Sequence, residues 1–333
     1  METAIVITTI NKNTVVERLA KQKEKQFKLY VIGDCKTPKG VPQINIKEQR
    51  KWLRDHPKLN SVIPYNTDAR RNIGYLMALE NGADIVISLD DDNYPTITSE
   101  FVSQHESSIG SVNGLEVRVD VGNSWFNYMH LLYNSSGIKI YPRGFPYHAR
   151  TREYVTLTHK CWRKVAINQG LWIDSPDVDG MTNLISPSKI TYVTELGKGF
   201  VLSKNTWSPI NSQNTAVSKK AMYCYMFMPN FKRFGDIVQG YLARKCIDAM
   251  GESVRYGTPI VNHKRTKHDY FKDMIAEHQE IIAVENLTRK LRTLNLTSKT
   301  YADCYNELAS KIEIKPIAKC MRIWVDEIEK ILT

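Results

Sequence analysis

The sequence predicts an α/β protein, a mostly parallel mixed sheet flanked by helices with a helical extension at its C-terminal end. Three observations predict it. Short β-branched runs alternate with helical patterns in the first 119 residues, each run ends in polar residues, and long amphipathic segments fill the chain from residue 265 onward.

Residues 4–10 (AIVITTI) read as a strand, the polar Asn11-Lys12-Asn13 as a loop, and residues 14–26 as a helix. A second strand, residues 28–32 (KLYVI), ends at Gly33-Asp34, and a third, residues 83–89 (ADIVISL), ends at Asp90-Asp91-Asp92. Between them, Thr67-Asp68-Ala69-Arg70-Arg71 opens a helix for which Asp68 is the expected N-cap. Its free amides, with Arg70 and Arg71, suit a diphosphate, or else the helix is a capped surface element with solvated arginines. Strands separated by helices pair in parallel and collect ligands at their carboxyl ends, which places Thr8, Thr9, Asp34 and the aspartate run on one rim. Residues 120–215 are rich in aromatics, Gly, Pro and Ser and weakly periodic, so they predict acceptor-side loops and short strands. Helix resumes from Phe234, with a strand-like interlude at residues 255–261. The expected organisation is a catalytic domain over residues 1–264, with a nucleotide-binding half (1–119) and a sugar or acceptor half (120–264). Residues 265–333 form the extension.

At 333 residues and 42% hydrophobic content the chain can bury a large core, which excludes a disordered protein. Its 46 Lys and Arg against 35 Asp and Glu give a formal charge of +11. That balance fits a polyanionic or small anionic partner, or a lysine-rich surface kept soluble by charge. Cys35, Cys161, Cys224, Cys246, Cys304 and Cys320 are widely spaced with no C-x-x-C pair, so the spacing signals neither a zinc site nor a disulfide framework. No run approaches a membrane span, and a cytoplasmic protein with reduced thiols is expected.

The strongest chemical signal is the apolar strand that runs into Asp90-Asp91-Asp92-Asn93. Alternate residues of an extended chain face the same way, so Asp90 and Asp92 can meet one hard cation, Mn²⁺ or Mg²⁺, while Asp91 turns elsewhere. Such an ion relieves the mutual repulsion and holds the phosphates of a leaving nucleotide. The plainer alternative is an acidic turn capping the next helix. His263 follows a strand and precedes Lys264 and Arg265, which makes it a candidate nitrogen ligand or an ordinary solvated histidine. Asp236, in Arg233-Phe234-Gly235-Asp236, is a candidate general base or an N-cap, and Asp177 and Asp179 are open between site and turn.

Further stretches carry a resemblance. Arg143-Gly144-Phe145-Pro146-Tyr147-His148-Ala149-Arg150, Gly170-Leu171-Trp172-Ile173, Pro176-Asp177-Val178-Asp179, Asn214-Thr215-Ala216-Val217 and Gly257-Thr258-Pro259-Ile260-Val261-Asn262-His263 stand in an order, with the aspartate run, that is similar to the reversibly glycosylated polypeptide family. The tail, with Cys304-Tyr305-Asn306-Glu307-Leu308-Ala309 and Ile323-Trp324-Val325, agrees. Plant members of that family are UDP-arabinopyranose mutases. The resemblance implies a glycosyltransferase-A-like, Rossmann-like fold, a divalent metal and a UDP-sugar, with UDP-arabinose favoured. It implies metal and diphosphate binding by Asp90, Asp91 and Asp92, and His263 as the late metal or phosphate ligand. It matches Arg150 to the arginine that becomes glycosylated, with Arg143 as its upstream partner. Asp34 stands where uracil is read, Thr8, Thr9, Asp68 and Arg71 complete the nucleotide side, and Trp172, Asp177, Asp179 and Asn214 lie on the sugar or acceptor side. The sequence departs from the family at Thr151-Arg152-Glu153 and over residues 93–140.

Three functions compete. A mutase would interconvert pyranose and furanose forms of a UDP-pentose without an acceptor, with Arg150 at the anomeric carbon or serving as a structural arginine. A transferase would use an external acceptor, with Asp236 as base; Lys219-Lys220, Lys232-Arg233 and Lys264-Arg265-Lys267 make DNA or another anion a candidate. A non-catalytic sugar-nucleotide scaffold would assemble as a homo-oligomer through its C-terminal helices.

Overall fold

The computed structural model describes residues 1–333 except 13, 23–25, 122–123, 151–154 and 266–268. Lys267, the Thr151-Arg152-Glu153 departure and part of the helix expected over residues 14–26 therefore lie outside the described residues. The first half of the chain comprises β1 (Thr3–Thr9), α1 (Thr14–Ala20), β2 (Phe27–Gly33), α2 (Ile46–Trp52), α3 (Pro57–Asn60), α4 (Arg71–Glu80), β3 (Ile85–Asp90), β4 (Asn93–Pro95), α5 (Phe101–Glu106) and β5 (Gly110–Val121). The middle adds β6 (Leu132–Asn134), α6 (Tyr147–Arg150), β7 (Val155–Asp174), α7 (Gly180–Ile185), β8 (Ile190–Val193), β9 (Gly199–Leu202) and β10 (Asn214–Ser218). The chain closes with α8 (Gly235–Ala249), β11 (Ser253–His263), α9 (Tyr270–Thr293), α10 (Tyr301–Lys311) and α11 (Lys315–Leu332).

Eleven strands among the described residues form one mixed sheet, ordered β2-β1-β3-β10-β7-β5-β9-β11-β4 along its main path. The half built from β2, β1 and β3 is parallel as predicted, with Thr9 opposite Gly33 and Thr8 opposite Asp90, while β4 and β5 pair antiparallel with β11 and β7. Strand β10 enters antiparallel beside β3 and joins this half to the rest. The buried run of β1 supplies the central strand, and α4 packs on it closely: a Cβ on Gly74 would come within 2.5 Å of Val6. Every residue of α4 from Arg71 to Leu79 is buried, which matches its nearly uninterrupted apolar sequence.

Residues 110–174 correct the expectation of loops and short strands. Strands β5 and β7 run for 12 and 20 residues and pair antiparallel. The outer half of β7 is largely exposed while its inner half is buried. Strand β5 does alternate from Leu115 to Val119, with Val117 and Val119 buried, whereas the outer half of β7 is exposed at nearly every position and has no buried face to pattern its sequence.

The C-terminal helices are tied to the rest of the fold by polar contacts. Trp324 Nε1 donates to the Met222 carbonyl at 2.8 Å, and Glu327 lies 2.6 Å from His56 Nδ1 in a buried pair. Helix α9 starts at an Asp269 N-cap that accepts from the Lys272 amide. No helix among the described residues is long and apolar enough to cross a membrane.

Candidate active site

Two adjoining cavities open at the carboxyl ends of β1, β2 and β3. The first, about 450 Å³, is lined by Thr8, Thr9, Ile32, Gly33, Asp34 and Arg70 and reached by Asp91. The second, about 320 Å³, brings together Asp90, Asp92, His263, Arg71, Arg143, Asp177, Arg233, Asp236 and Arg265. Asn11, Asp68 and Lys232 line both.

The aspartate run splits as strand alternation requires. Asp91 turns to the first cavity and accepts from Thr9 Oγ1 at 2.5 Å. Asp90 and Asp92 face the second. Asp90 Oδ1 accepts from Arg71 Nη2 at 2.6 Å, and the same nitrogen reaches Thr8 Oγ1 at 2.9 Å. Burial pushes the Asp90 carboxyl up to about 7; Arg71 pulls it down, while Asp92 and Asp68 add repulsion. Burial works against the Arg71 charge too, yet Asp90 outweighs it and holds the guanidinium above its ordinary range.

Antiparallel pairing of β11 with β4 sets His263 opposite Asn93, and so brings it to the aspartates from far along the chain. Its Nδ1 donates to the Ser175 carbonyl at 2.7 Å, which turns Nε2 toward Asp92 Oδ2 at 3.4 Å. Burial raises and His263 lowers the Asp92 carboxyl, leaving it below its ordinary range. Two cleft carboxylates, Asp90 and Asp92, beside an imidazole whose other nitrogen is fixed by a carbonyl, offer the donor set of a hard divalent cation.

Asp68 is not the helix cap expected of it. Residues Asp68–Arg70 form a short 3₁₀ turn ahead of α4, and no side chain caps either element. The Asp68 carboxyl instead faces the cleft, where burial raises it above its ordinary range against the pull of Arg71. Asp34 borders the first cavity and is held in a turn, its Oδ1 accepting from the Cys35 amide at 2.7 Å.

Arg143 and Arg150 lie on opposite sides of the Gly144 turn, where φ is +81°. Arg143 faces the second cavity. Its Nε donates to Asp177 Oδ1 at 2.8 Å and its Nη2 to Asp236 Oδ2 at 2.8 Å, and Nη1 reaches the Arg233 carbonyl. Burial opposes this charge, but Asp177 and Asp236 outweigh it and hold the guanidinium well above its ordinary range. Asp236 is the second residue of α8, with Phe234 at the cap position, so its carboxylate serves Arg143 and not the helix end.

Arg150 borders neither cavity. Its Nη2 donates to Asp179 Oδ2 at 2.6 Å, its guanidinium lies 3.7 Å from the Tyr147 ring centre, and it lines a small cleft against α9. Asp179 is the N-cap of α7, accepting from the Thr182 amide at 2.8 Å. The turn alternative thus describes Asp179, while Asp177 is a cleft residue. Trp172 and Asn214 also stay away from the cavities. Trp172 is fully buried against Tyr128, and Asn214 bonds His105 and the Pro259 carbonyl.

Arg233 and Arg265, expected only as members of basic stretches suited to an anion or to solvent, both line the second cavity. Arg233 pairs with Glu277 at 2.8 Å and Asp273 at 3.2 Å, and Arg265 with Asp273 at 3.3 Å. Glu277 also accepts the Gly180 amide at 2.7 Å, and Glu280 takes the amides of Lys232, Arg233 and Phe234. These α9 carboxylates were missed, because on a long polar helix nothing local separates them from solvated charges.

A family model described as "Reversibly glycosylated polypeptide" matches residues 2–326. The chain is 24% identical over 290 residues to UDP-arabinopyranose mutase 1 of Arabidopsis thaliana, covering 80% of this chain and 74% of that protein. It is 23% identical over 295 residues to probable UDP-arabinopyranose mutase 1 of Pisum sativum, covering 81% and 74%. Against UDP-arabinopyranose mutase 1 of Oryza sativa subsp. japonica it is 22% identical over 290 residues, covering 80% and 72%.

Proposed function

Because this chain belongs to the reversibly glycosylated polypeptide family, we propose that it is a metal-dependent UDP-sugar mutase that exchanges the pyranose and furanose forms of a UDP-pentose, UDP-arabinose first among them. The carrying observation is that one cleft gathers Asp90, Asp92 and His263 with Arg71, Arg143 and Arg233, next to an adjoining cavity of about 450 Å³.

In this reading Asp34 and Thr9 face the base, and Asp68 and Lys232 sit where ribose passes into diphosphate. Asp90, Asp92 and His263 would hold Mn²⁺ or Mg²⁺, which supplies Lewis-acid charge to the departing diphosphate. Conversion breaks the C1–O bond to UDP and re-forms it once the C1–O5 ring bond has been replaced by C1–O4 and one proton has moved from O4 to O5, so no external acceptor is consumed. Arg71 and Arg143 are pre-oriented by carboxylates and hold the leaving group near the anomeric carbon without reorganising. Asp68, a cleft carboxyl that burial raises above its ordinary range, is placed to move the hydroxyl proton. Arg143, not Arg150, is the arginine at the sugar.

The test incubates the purified protein with Mn²⁺ and UDP-arabinopyranose, with and without DNA, and resolves the sugar nucleotides by chromatography. UDP-arabinofuranose formed without an acceptor is the expected result. UDP release only when an acceptor is added would replace this reading with a transferase, and no turnover of any UDP-pentose or UDP-hexose would leave a binding scaffold.

A further inference from the structure

We propose that Glu116, His159 and Cys161 form a second metal site, specific for a borderline-soft divalent cation such as Zn²⁺ and independent of the sugar-nucleotide cleft. The pairing of β5 with β7 sets Glu116 directly opposite His159, and Gly114 opposite Cys161. His159 and Cys161 are two residues apart on one strand, so they share a face with Glu116. The ligand atoms of all three lie within 4.8 Å of one another. Cys161 Sγ is 3.6 Å from Glu116 Oε2, and His159 Nε2 is 3.8 Å from Glu116 Oε1. A tetrahedral ion with nitrogen at about 2.0 Å and sulfur at about 2.3 Å holds its ligands roughly 3.3–3.8 Å apart, and each of the two Glu116 oxygens already stands at such a distance from one of the other donors, so a small turn of the carboxylate brings one oxygen to both. A Cβ on Gly114 would meet nothing within 4 Å, which leaves open space across from Cys161 for a fourth ligand.

The donor chemistry separates this site from the cleft. Thiolate, imidazole and one carboxylate favour Zn²⁺, whereas the paired aspartates of the cleft suit harder ions. Binding breaks the Cys161 S–H bond, forms a sulfur–metal bond and passes the proton to buffer. Arg163 is the resident competitor: its Nε donates to Glu116 Oε2, and its side chain is 40% exposed and able to swing out when an ion supplies the charge. The outer half of β7 is largely exposed, and a tie across β5 and β7 would stiffen it.

The experiment titrates metal-free full-length protein with Co²⁺, follows the thiolate-to-cobalt charge-transfer band, and then displaces the ion with Zn²⁺. One site is expected, with the band absent in Cys161→Ser, retained in Cys35→Ser and Asp92→Asn, and affinity weakened on the order of 10- to 100-fold in His159→Asn. Arg163→Ala should tighten binding by freeing Glu116, and Cys161→Ser should leave mutase turnover unchanged. No charge-transfer band in the wild-type protein, a band that survives Cys161→Ser, or weaker binding in Arg163→Ala would each overturn the proposal.

Discussion

Arg143 lies between Asp177 and Asp236, bonded to each at 2.8 Å, and the three side chains are buried together at the wall of the cleft. Both carboxylates are satisfied by one guanidinium fork, a geometry that a lysine cannot reproduce. Arg143→Lys should therefore lower kcat about 100-fold or more, while Asp236→Asn, which leaves the arginine half-compensated, should destabilise the protein by about 3–5 kcal/mol. Steady-state kinetics and denaturant unfolding read these separately. Near wild-type kcat in Arg143→Lys would remove the arginine from the reaction.

Arg150 points away from both cavities and compensates Asp179, whose side chain is 1% exposed. Arg150→Ala should cost roughly 3 kcal/mol of stability by stranding that carboxylate at the start of α7. Peptide mapping by mass spectrometry after incubation with UDP-sugar should find no sugar on Arg150. An adduct on that residue would show that the cleft rearranges during turnover.

Chelation should abolish turnover, and Mn²⁺ or Mg²⁺ should restore it. Asp92→Asn removes a carboxylate that faces both the cleft and His263, and should raise the Mn²⁺ concentration needed for half-activity by about 100-fold, measured by metal titration of initial rates. Substantial metal-dependent turnover with wild-type metal affinity would contradict the assignment of the aspartate rim.

Glu277 is fully buried and bonds both the Gly180 amide and Arg233. Glu277→Gln keeps an acceptor for the amide but loses the charge on Arg233; it should raise KM several-fold with little loss of thermal stability, whereas Glu277→Ala should lose both. Equal thermal midpoints for the two variants would count against this division.

Asp177 and Asp179 have carboxyls lowered in the folded protein: burial raises both, but Arg143 and Arg150 respectively outweigh it. A folded value below the unfolded value of about 3.9 means that the stabilisation is fully present above that pH and is lost as pH falls toward the folded value, where the unfolded chain has already taken up its protons. The contribution of these two carboxylates should accordingly be level above about pH 5 and lost below about pH 4, so that the acid limb of the thermal midpoint is shallower in Asp179→Asn than in the wild-type protein. An acid limb unchanged in that variant would exclude Asp179 from the effect.

Much of the rim at the ends of β1, β2 and β3 is legible in the amino-acid sequence alone. β1 and β3 announce themselves as apolar β-branched runs, because strands buried on both faces need apolar residues at nearly every position, and β2, at the sheet edge, keeps an apolar end that leads into Gly33. The outward polar ends then place Thr9, Asp34 and the aspartate run together, and period-two alternation separates Asp91 from Asp90 and Asp92. These are local consequences of backbone geometry, carried within a few residues.

The opposite wall is not legible in that way, because its contacts join residues far apart in the chain. The Asp177–Arg143–Asp236 arrangement, the turn at Gly144 that faces Arg150 away, and the α9 carboxylates holding residues 232–234 all depend on how α7, α8 and α9 pack. The β5–β7 register that gathers Glu116, His159 and Cys161 is of the same kind. An aspartate or arginine in a polar stretch looks the same from its neighbours whether it meets water or a buried counter-charge. Only the packed chain, which must compensate each charge it buries, decides which of them becomes a site.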